Sequence, residues 1–338
     1  MSLAAYDLIA ALRGRRSRLP DYLRKPPTAS GRWHKVRRVW ICALIALGPQ
    51  GLAVDQSAAV GEVGAQFLKL PVGPKAAALG GAFVAVADDP SAVHWNPGGL
   101  ALLQTTQVLG MHSSWLDEAT YQYVAIAIPH VHGLSLGIAG LYSGSGDLVG
   151  RAVDFSPTGS YNAYDLALGL AAARPFGQHL RIGLGVKLLQ QRIEEETASA
   201  VGFDLGLLYD IAPMPGLRLG LAMRNVGTEP EFIEHSDPLP TTWSAGLGFA
   251  RGRFRGSADL ERPRFDRMRI HAGGELALNP TLALRAGVRT RPDLDPVWTA
   301  GVGLRWHRVL TEYAYLPFPE IEASHTIGLT LSLGGSPQ

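Results

Sequence analysis

The stretch Arg267-Met-Arg-Ile-His-Ala-Gly-Gly-Glu-Leu-Ala-Leu-Asn279 decides the fold, because apolar and polar residues alternate along it. One set of alternate positions is apolar or small and comprises Ile270, Ala272, Gly274, Leu276 and Leu278. The other set contains Arg269, His271, Glu275 and Asn279. Because a β-strand points successive side chains to opposite faces, the stretch predicts a strand with one apolar and one polar face.

The same alternation recurs from Gln104 to Leu333. In a soluble sandwich the apolar faces meet in a core, whereas in a transmembrane barrel they face lipid and the polar faces line the interior. Fourteen candidate strands follow from the pattern: 104–115, 121–129, 133–142, 162–174, 179–193, 199–211, 216–226, 241–250, 253–261, 267–278, 282–291, 296–306, 309–316 and 324–333.

The connections between these strands alternate in length, which favours the barrel. Those after the even-numbered strands are short: His130–His132, Pro175–Gln178, Ala212–Pro215, Arg251–Gly252, Asn279–Thr281 and His307–Arg308. Those after the odd-numbered strands are longer or more polar: Ser143–Tyr161, Glu194–Thr197, Gly227–Pro240, Arg291–Asp295 and Pro317–Ala323. Bacterial outer-membrane barrels have tight periplasmic turns and longer outer loops. The sequence therefore predicts an all-β fold, a closed antiparallel transmembrane β-barrel of about fourteen strands over residues 104–334. A secreted soluble β protein is the remaining class.

Two residue types inside the strands fit a barrel. Many of the 40 glycines lie within strands, as in Arg181–Lys187, where glycine is unfavourable unless the chain bends or another backbone comes close. Aromatic residues near strand ends predict interfacial girdles: Trp115, Tyr121, Tyr123, Tyr142, Tyr209, Trp243, Trp298, Trp306, Tyr313 and Tyr315.

The first 53 residues have the character of an export leader. A basic flank at Lys35–Arg38 precedes the apolar run Val39–Leu47, and small residues before Val54 offer a cleavage point near Ala53. The run is too short to span a bilayer, for which about 20 residues are needed, and an uncleaved anchor is the alternative. The single cysteine, Cys42, lies inside this run, so the exported chain has no disulfide.

Charge and motif content exclude several function classes. The leader holds ten of the 31 Lys and Arg and two of the 29 Asp and Glu, which leaves the rest of the chain with a net charge of −6 and argues against nucleic acid as a partner. The scattered histidines predict no metal site. Ser324 and His325 are adjacent on a strand and point to opposite faces, so they cannot act as nucleophile and base. We therefore expect no enzyme activity and no cofactor.

Two motifs before the barrel carry a family resemblance. They are Gly80-Gly-Ala-Phe-Val-Ala-Val-Ala-Asp-Asp89 and Trp95-Asn-Pro-Gly-Gly-Leu100. Together with Ser324-His-Thr-Ile-Gly-Leu329 they resemble the PorV/PorQ family of outer-membrane proteins, which are similar to FadL hydrocarbon and fatty-acid channels. The Asn96-Pro97-Gly98 turn departs from the Asn-Pro-Ala common in FadL-like proteins. The resemblance implies a fourteen-stranded barrel whose N-terminal segment, residues 54–103, folds inside the lumen as a hatch.

The hatch and the polar strand faces supply the candidate ligand-binding residues. These are Phe67, Phe83, Asp88, Asp89, Trp95, Asn96, Arg181, Arg218, Arg224, Arg285 and Arg305. Asp88 and Asp89 are candidates to pair with the lumen-facing arginines. The alternative is that both aspartates cap a short helix at Pro90–Val93.

Two functional hypotheses follow from these features. The first is a FadL-like conduit of the outer membrane that binds or passes a hydrophobic or amphipathic small molecule. The second is a scaffold that receives a secreted cargo protein in a type IX-like secretion system through the loops Ser143–Tyr161 and Gly227–Pro240. The partners are then the lipid bilayer and either the small molecule or the cargo.

Overall fold

The computed structural model describes residues 63–334 apart from 116–118, 152–153, 155, 234, 292–293 and 319–320. The predicted leader with Cys42 and the predicted hatch residues 54–62 lie outside the described residues. No helix in the described part of the chain is both long enough and apolar enough to cross a membrane.

Fourteen strands of the described chain form one closed antiparallel barrel, as predicted. Each strand pairs with its neighbours along the chain, and the pairing of the first and last strands closes the ring. The barrel strands are β1 (Thr106–Trp115), β2 (Ala119–Val131), β3 (Leu134–Arg151), β4 (Pro157–Phe176), β5 (Leu180–Ile193), β6 (Glu196–Asp210), β7 (Leu217–Gly227), β10 (Thr242–Arg251), β11 (Phe254–Pro263), β12 (Arg269–Ala277), β13 (Leu282–Arg291), β14 (Leu294–Trp306), β15 (Val309–Phe318) and β16 (Ile321–Leu333). A separate small hairpin of β8 (Glu231–Phe232) and β9 (His235–Ser236) lies between β7 and β10.

The apolar face of each strand points outward. On β12, Ile270 and Leu276 are 47% and 44% exposed, whereas His271 and Glu275 are buried. The other strands repeat this arrangement, with Leu184 on β5 63% exposed next to a buried Gly183. Exposed aliphatic side chains all around a closed sheet are what a lipid environment requires.

The girdle prediction is correct for some aromatic residues and wrong for two. Trp298 and Trp306 stand on the outward face near opposite ends of β14 and are 71% and 75% exposed. Tyr121 and Tyr123 are instead only 2% exposed and face inward, where the Tyr121 hydroxyl donates to the carbonyl of Leu70. Proximity to a strand end does not decide the face, because the face depends on odd or even position along the strand.

The predicted contrast between short and long connections is only partly correct. The loop between β7 and β10 is long, but β3 and β4 continue as a paired hairpin through most of Ser143–Tyr161. The connection between β5 and β6 is only Glu194 and Glu195. Two strands can stay paired through a polar stretch, because the hydrogen bonds between strands are made by backbone groups, whichever residues carry them. We refer to the ends of the barrel as the short-turn end, which holds turns such as 252–253, and the long-loop end, which holds 228–241.

Residues Val63–Leu103, here named the lumen segment, pack against the inward-facing residues of the wall. Its elements are a 3₁₀ helix (Gln66–Lys69), α1 (Pro74–Ala78), α2 (Ala92–Trp95) and a second 3₁₀ helix (Pro97–Leu102). The segment begins at the long-loop end, where the Gly64 amide donates to the Pro238 carbonyl at 3.0 Å. It ends beside the start of β1, which lies at the short-turn end.

The direction of the lumen segment predicts a labelling pattern. Gln66 and Gln104 are both exposed but lie at opposite ends of the barrel. In a Cys42→Ala background we expect Gln66→Cys to react in intact cells with a polyethylene-glycol maleimide too large to cross the outer membrane. Gln104→Cys should react only after the membrane is permeabilised, because short turns face the periplasm. Labelling of Gln104→Cys alone in intact cells would contradict this orientation.

Candidate functional site

Glycines on the inner face of the wall bring the backbone of the lumen segment into direct contact with the strands. A Cβ atom added to Gly287 would lie 2.2 Å from the Gly80 nitrogen, and one on Gly220 would lie 2.6 Å from Ala85 Cα. We name as wall glycines those whose added Cβ would come closer than 3.0 Å to the lumen segment: Gly137, Gly183, Gly206, Gly220, Gly248, Gly273, Gly287, Gly301 and Gly328. The glycine content predicted that another part of the chain comes close to the strands, and that part is the lumen segment.

Polar side chains between these glycines bind the segment's backbone at alternate residues. The bonds run from Thr299 Oγ1 to Ala78 O, from His271 Nδ1 to Gly80 O, from Ser257 Oγ to Ala82 O, and from Val84 N to Asp259 Oδ2. A carbonyl only accepts, so His271 Nδ1 carries the proton. The wall side chains come from β14, β12 and β11, so three strands of the wall fix the stretch Ala78–Val84, which contains a turn at 79–81.

Six charged side chains form an alternating chain from the lumen segment into the wall. The successive pairs are Lys75–Asp88 at 2.5 Å, Asp88–Arg255 at 3.0 Å, Arg255–Glu275 at 3.7 Å, Glu275–Arg285 at 2.7 Å and Arg285–Glu312 at 2.6 Å. The wall end of this chain is buried, with the Arg285 and Glu312 side chains 4% and 3% exposed. A buried charge is tolerated when an opposite charge pairs with it. We therefore assign Arg285 and Glu312 a structural role in the wall.

Asp88 joins the lumen segment to the wall through this chain. Burial alone would raise its pKa, but the charges of Lys75 and Arg255 hold the pKa below its ordinary value of 3.8. Its stabilising contribution is therefore complete at neutral pH and is lost only as the pH falls below about 4. Asp88 was predicted to pair with lumen-facing arginines, and it does so with Arg255, which was not among the five named candidates, and also with Lys75.

Asp89 has a different role from Asp88. Its Oδ1 accepts hydrogen bonds from the Ser91 amide at 2.8 Å and from the Ser91 hydroxyl at 2.5 Å, just before α2. Burial raises the pKa of Asp89. Asp89 thus bonds locally to Ser91 before the helix, and α2 itself has no side-chain cap, whereas Asp88 forms the ion pairs.

Four candidate ligand-binding residues of the lumen segment are occupied in packing. Phe67 and Phe83 are 4% and 0% exposed, and Phe83 meets Trp95 edge-on at 6.2 Å between ring centroids. The Trp95 indole N–H donates to the Val72 carbonyl at 2.7 Å. The Asn96 amide bonds Val84 O at 2.8 Å, and its carbonyl oxygen accepts from Gly98 N at 3.1 Å.

The five candidate arginines lie in four different environments. Arg181 and Arg218 both bind Asp210, each at 2.6 Å. Arg224 pairs with Glu261 at 2.7 Å and lies 5.0 Å from the Trp95 ring centroid, and Arg285 belongs to the buried charge chain. Arg305 is exposed next to the turn between β14 and β15.

A second buried network seals an irregularity between β6 and β7. The register shifts around Asp204, and Asn225 adopts φ 59°. Asp204 accepts from the Asn225 amide at 2.8 Å, and Lys187 Nζ lies 2.8 Å from both Asp204 Oδ2 and Asn225 Oδ1. The alternation of the sequence places Lys187 and Asp204 on the polar, lumen-facing side of their strands. The extra residue in β7 has no signal in the sequence, so the network around it could not be predicted. The part of the chain that the structure describes contains no His, Cys, Asp or Glu group able to hold a metal ion.

Two adjoining cavities open at the short-turn end of the lumen. One has a volume of 290 Å³ and includes Lys75, Leu79, Leu102 and Arg255 in its lining. The other has a volume of 430 Å³ and is bounded by the β6–β7 turn. Both are lined by Val86 and Arg218, so apolar side chains of the lumen segment and wall cations face one shared space.

The wall glycines generate a stability prediction. Gly287→Ala places a methyl group against backbone and should lower the free energy of unfolding by about 1–3 kcal/mol, the usual cost of overpacking. Gly110→Ala is the matched control, because its added Cβ meets nothing within 4 Å. Urea unfolding of the detergent-folded barrel measures both. Equal stability of the two variants would show that the segment is not seated on Gly287.

The buried charge chain generates a second prediction. Arg285→Gln leaves Glu275 and Glu312 without their shared cation and should cost about 3–5 kcal/mol of unfolding free energy. Arg305→Gln removes an exposed arginine and should change it by less than about 0.5 kcal/mol. The same urea titration tests the pair, and a loss below 1 kcal/mol for the first variant (about the worth of a surface pair) argues against a buried network.

Comparison with known proteins relates the chain to one family model and to several solved structures. The model of an uncharacterised protein family, UPF0164, matches residues 45–143. No curated protein shows significant sequence similarity. The CymD monoaromatic hydrocarbon channel superposes with a TM-score of 0.58 at 13% identity, covering 78% of this chain and 98% of that one.

Two further solved structures agree. The toluene transporter TodX of Pseudomonas putida gives a TM-score of 0.57 at 13% identity over 77% of this chain and 97% of its own. A FadL homologue of Pseudomonas aeruginosa gives 0.55 at 10% identity over 78% and 99%. At sequence identities of 10% to 13%, these similarities show a shared fold and nothing more. The described part of the chain is a closed fourteen-stranded β-barrel with a FadL-like fold.

Proposed function

We propose that this barrel binds a hydrophobic or amphipathic small molecule and passes it across the outer membrane, with the lumen segment as its hatch. The observation that carries the proposal is the pair of cavities at the short-turn end, where the lumen segment meets the wall. The fold likeness to hydrocarbon and toluene channels supports a general transport role. The motifs at 80–89 and 95–100, which resemble the PorV/PorQ family, lie in the proposed hatch.

The composition of the cavities suits a molecule with an apolar body and a polar end. Leu79, Val86 and Leu102 offer apolar contact, while Arg218 and Arg255 offer cations. The Arg255 side chain is 51% exposed and shares Asp88 with Lys75, so part of its guanidinium is open to a ligand. Binding sites for small molecules commonly have about 300–1,000 Å³ with few polar groups among apolar ones.

The ion pairs of Asp88 are the proposed latch of the hatch. Deeper in the barrel the segment rests on the wall glycines, where movement would break many backbone contacts. At Asp88 a single side-chain ion pair, with Arg255, joins it to the wall, while Lys75 pairs with Asp88 from within the segment; both partners line the 290 Å³ cavity. Partly exposed ion pairs are weak, about 0.2–1 kcal/mol each, so this is where opening costs least.

The scaffold hypothesis has one supporting observation. Nine wall glycines hold the lumen segment by close contacts, so a barrel that never opens is also consistent with this packing. In that case the exposed β3–β4 hairpin and the loop 228–241 would receive a secreted cargo protein in a type IX-like system. Affinity purification from outer membranes distinguishes the two, because a scaffold co-purifies with cargo and a conduit does not.

Uptake measurements test the conduit directly. Cells that carry Asp88→Asn in place of the wild-type protein should take up a hydrophobic fluorescent probe such as N-phenyl-1-naphthylamine about fivefold faster, the population change that 1 kcal/mol gives. Asp237→Asn is the matched control, because Asp237 is an exposed carboxylate at the long-loop end. If deletion, wild type and Asp88→Asn give the same uptake across apolar and amphipathic probes, the conduit proposal fails.

A further inference from the structure

The outward face of β3, β4 and β5 carries a hollow that the transport proposal does not use. Its volume is 410 Å³. Its lining consists of Tyr142, Gly144, Ser145, Gly146, Asn162, Ala163, Tyr164 and Arg192. These residues lie outside the wall, at the long-loop end of the three strands.

A β-bulge shapes this hollow. Gly144 pairs with Tyr164 and Asp147 pairs with Asn162, so Ser145 and Gly146 together oppose Ala163. The Ser145 hydroxyl accepts from the Ala163 amide at 3.0 Å and donates to the Gly146 carbonyl at 3.0 Å, which replaces the lost ladder bonds. Bulges bend a strand and redirect its side chains, and they occur often at barrel rims and beside binding sites.

Two tyrosines form one wall of the hollow. The Tyr142 ring lies over Gly144, where an added Cβ would come within 2.8 Å of its hydroxyl oxygen. Tyr164 stacks beside it, with ring centroids 6.1 Å apart and planes inclined by 26°. Tyr142 is 39% exposed, compared with 71% for the girdle residue Trp298, so the pair is a supported surface rather than two separate lipid anchors.

Polar groups of fixed position face the same space. The Arg192 Nε donates to the Glu194 carbonyl at 2.9 Å, which braces the guanidinium and leaves its Nη groups directed elsewhere. The Tyr142 and Tyr164 hydroxyls and the side-chain amide of Asn162 belong to the lining of the hollow and have no hydrogen-bond partner among the described residues. A hollow with aromatic surface, two hydroxyls, an amide and a guanidinium resembles neither a lipid-facing wall nor an apolar pocket.

The position of the hollow limits what reaches it. Below it on the same face are Ile138, Leu168 and Leu188, which are 55%, 52% and 58% exposed and belong to the lipid-facing band. The hollow therefore lies at the outer edge of the band, at the level of polar headgroups. Glu194, Glu195 and Glu196 follow closely in the chain, and their charge disfavours a strongly anionic ligand.

We propose that this hollow binds a saccharide ring. A sugar presents an apolar face that packs on an aromatic side chain, and a rim of hydroxyls that bind amide and guanidinium groups. The ring has two sources, the headgroup of a glycolipid in the outer leaflet or a soluble saccharide. The site is independent of the lumen, so it stands whether or not the barrel conducts a solute.

Binding to the purified full-length barrel tests the site. The probes are a neutral glycolipid in phosphatidylcholine nanodiscs, and the free saccharide of its headgroup. Asn162→Ala and Arg192→Gln should each weaken binding about tenfold, because each removes hydrogen bonds to the ring. Tyr142→Phe keeps the ring surface and should bind more tightly than Tyr142→Ala.

Controls separate this site from general interface effects. Arg262→Gln and Trp298→Ala alter exposed outward-facing residues elsewhere on the wall and should bind as wild type does. Binding of glycolipid alone assigns the site to a membrane headgroup, and binding of the free saccharide assigns it to a soluble ligand. No binding of either probe, or equal binding by wild type, Asn162→Ala and Arg192→Gln, overturns the proposal. Heat-modifiable gel migration confirms that each variant is folded.

Discussion

Direct contact between the lumen segment and the glycines of the wall is the constraint on which the rest of the structure depends. A closed barrel of fourteen strands has an interior that side chains must fill, and here a second layer of backbone fills it. That layer approaches closely at nine positions where the wall has no Cβ, and hydrogen bonds with Thr299, His271, Ser257 and Asp259 satisfy polar groups of its backbone. The glycine content, usually unfavourable in strands, follows from this packing.

The ion pairs inside the barrel determine where charged side chains remain accessible to a ligand. Arg285 is neutralised by Glu275 and Glu312, and Lys187 by Asp204, so the deep lumen offers a ligand few unpaired cations among the described residues. Breaking such pairs is costly in a buried setting. Space and partly exposed cations coincide at the short-turn end, around Arg218 and Arg255. The lumen segment therefore meets the wall through close glycine contacts along most of its length and through the Asp88–Arg255 ion pair beside this space.

Period-two alternation predicted the strands and their two faces, because lipid and lumen impose opposite demands on successive residues, and the closed barrel was predicted from it together with the connection lengths. It placed Glu275 and Arg285 on the same polar face that the structure shows. It did not predict partners, since the Asp88–Arg255 pair depends on the path of the lumen segment across the wall, which has no local periodicity. The inward Tyr121 and the extended β3–β4 hairpin were missed for related reasons: strand ends and polar composition do not fix facing or pairing.

Amide hydrogen exchange of residues 74–89 in the purified barrel tests the central claim most directly. If the wall glycines seat this stretch, its amides from Ala78 to Val84 exchange as slowly as those of the neighbouring strands β11 to β14. Exchange at the rate of an exposed chain, while the strands remain protected, would show that the segment is not held by the wall.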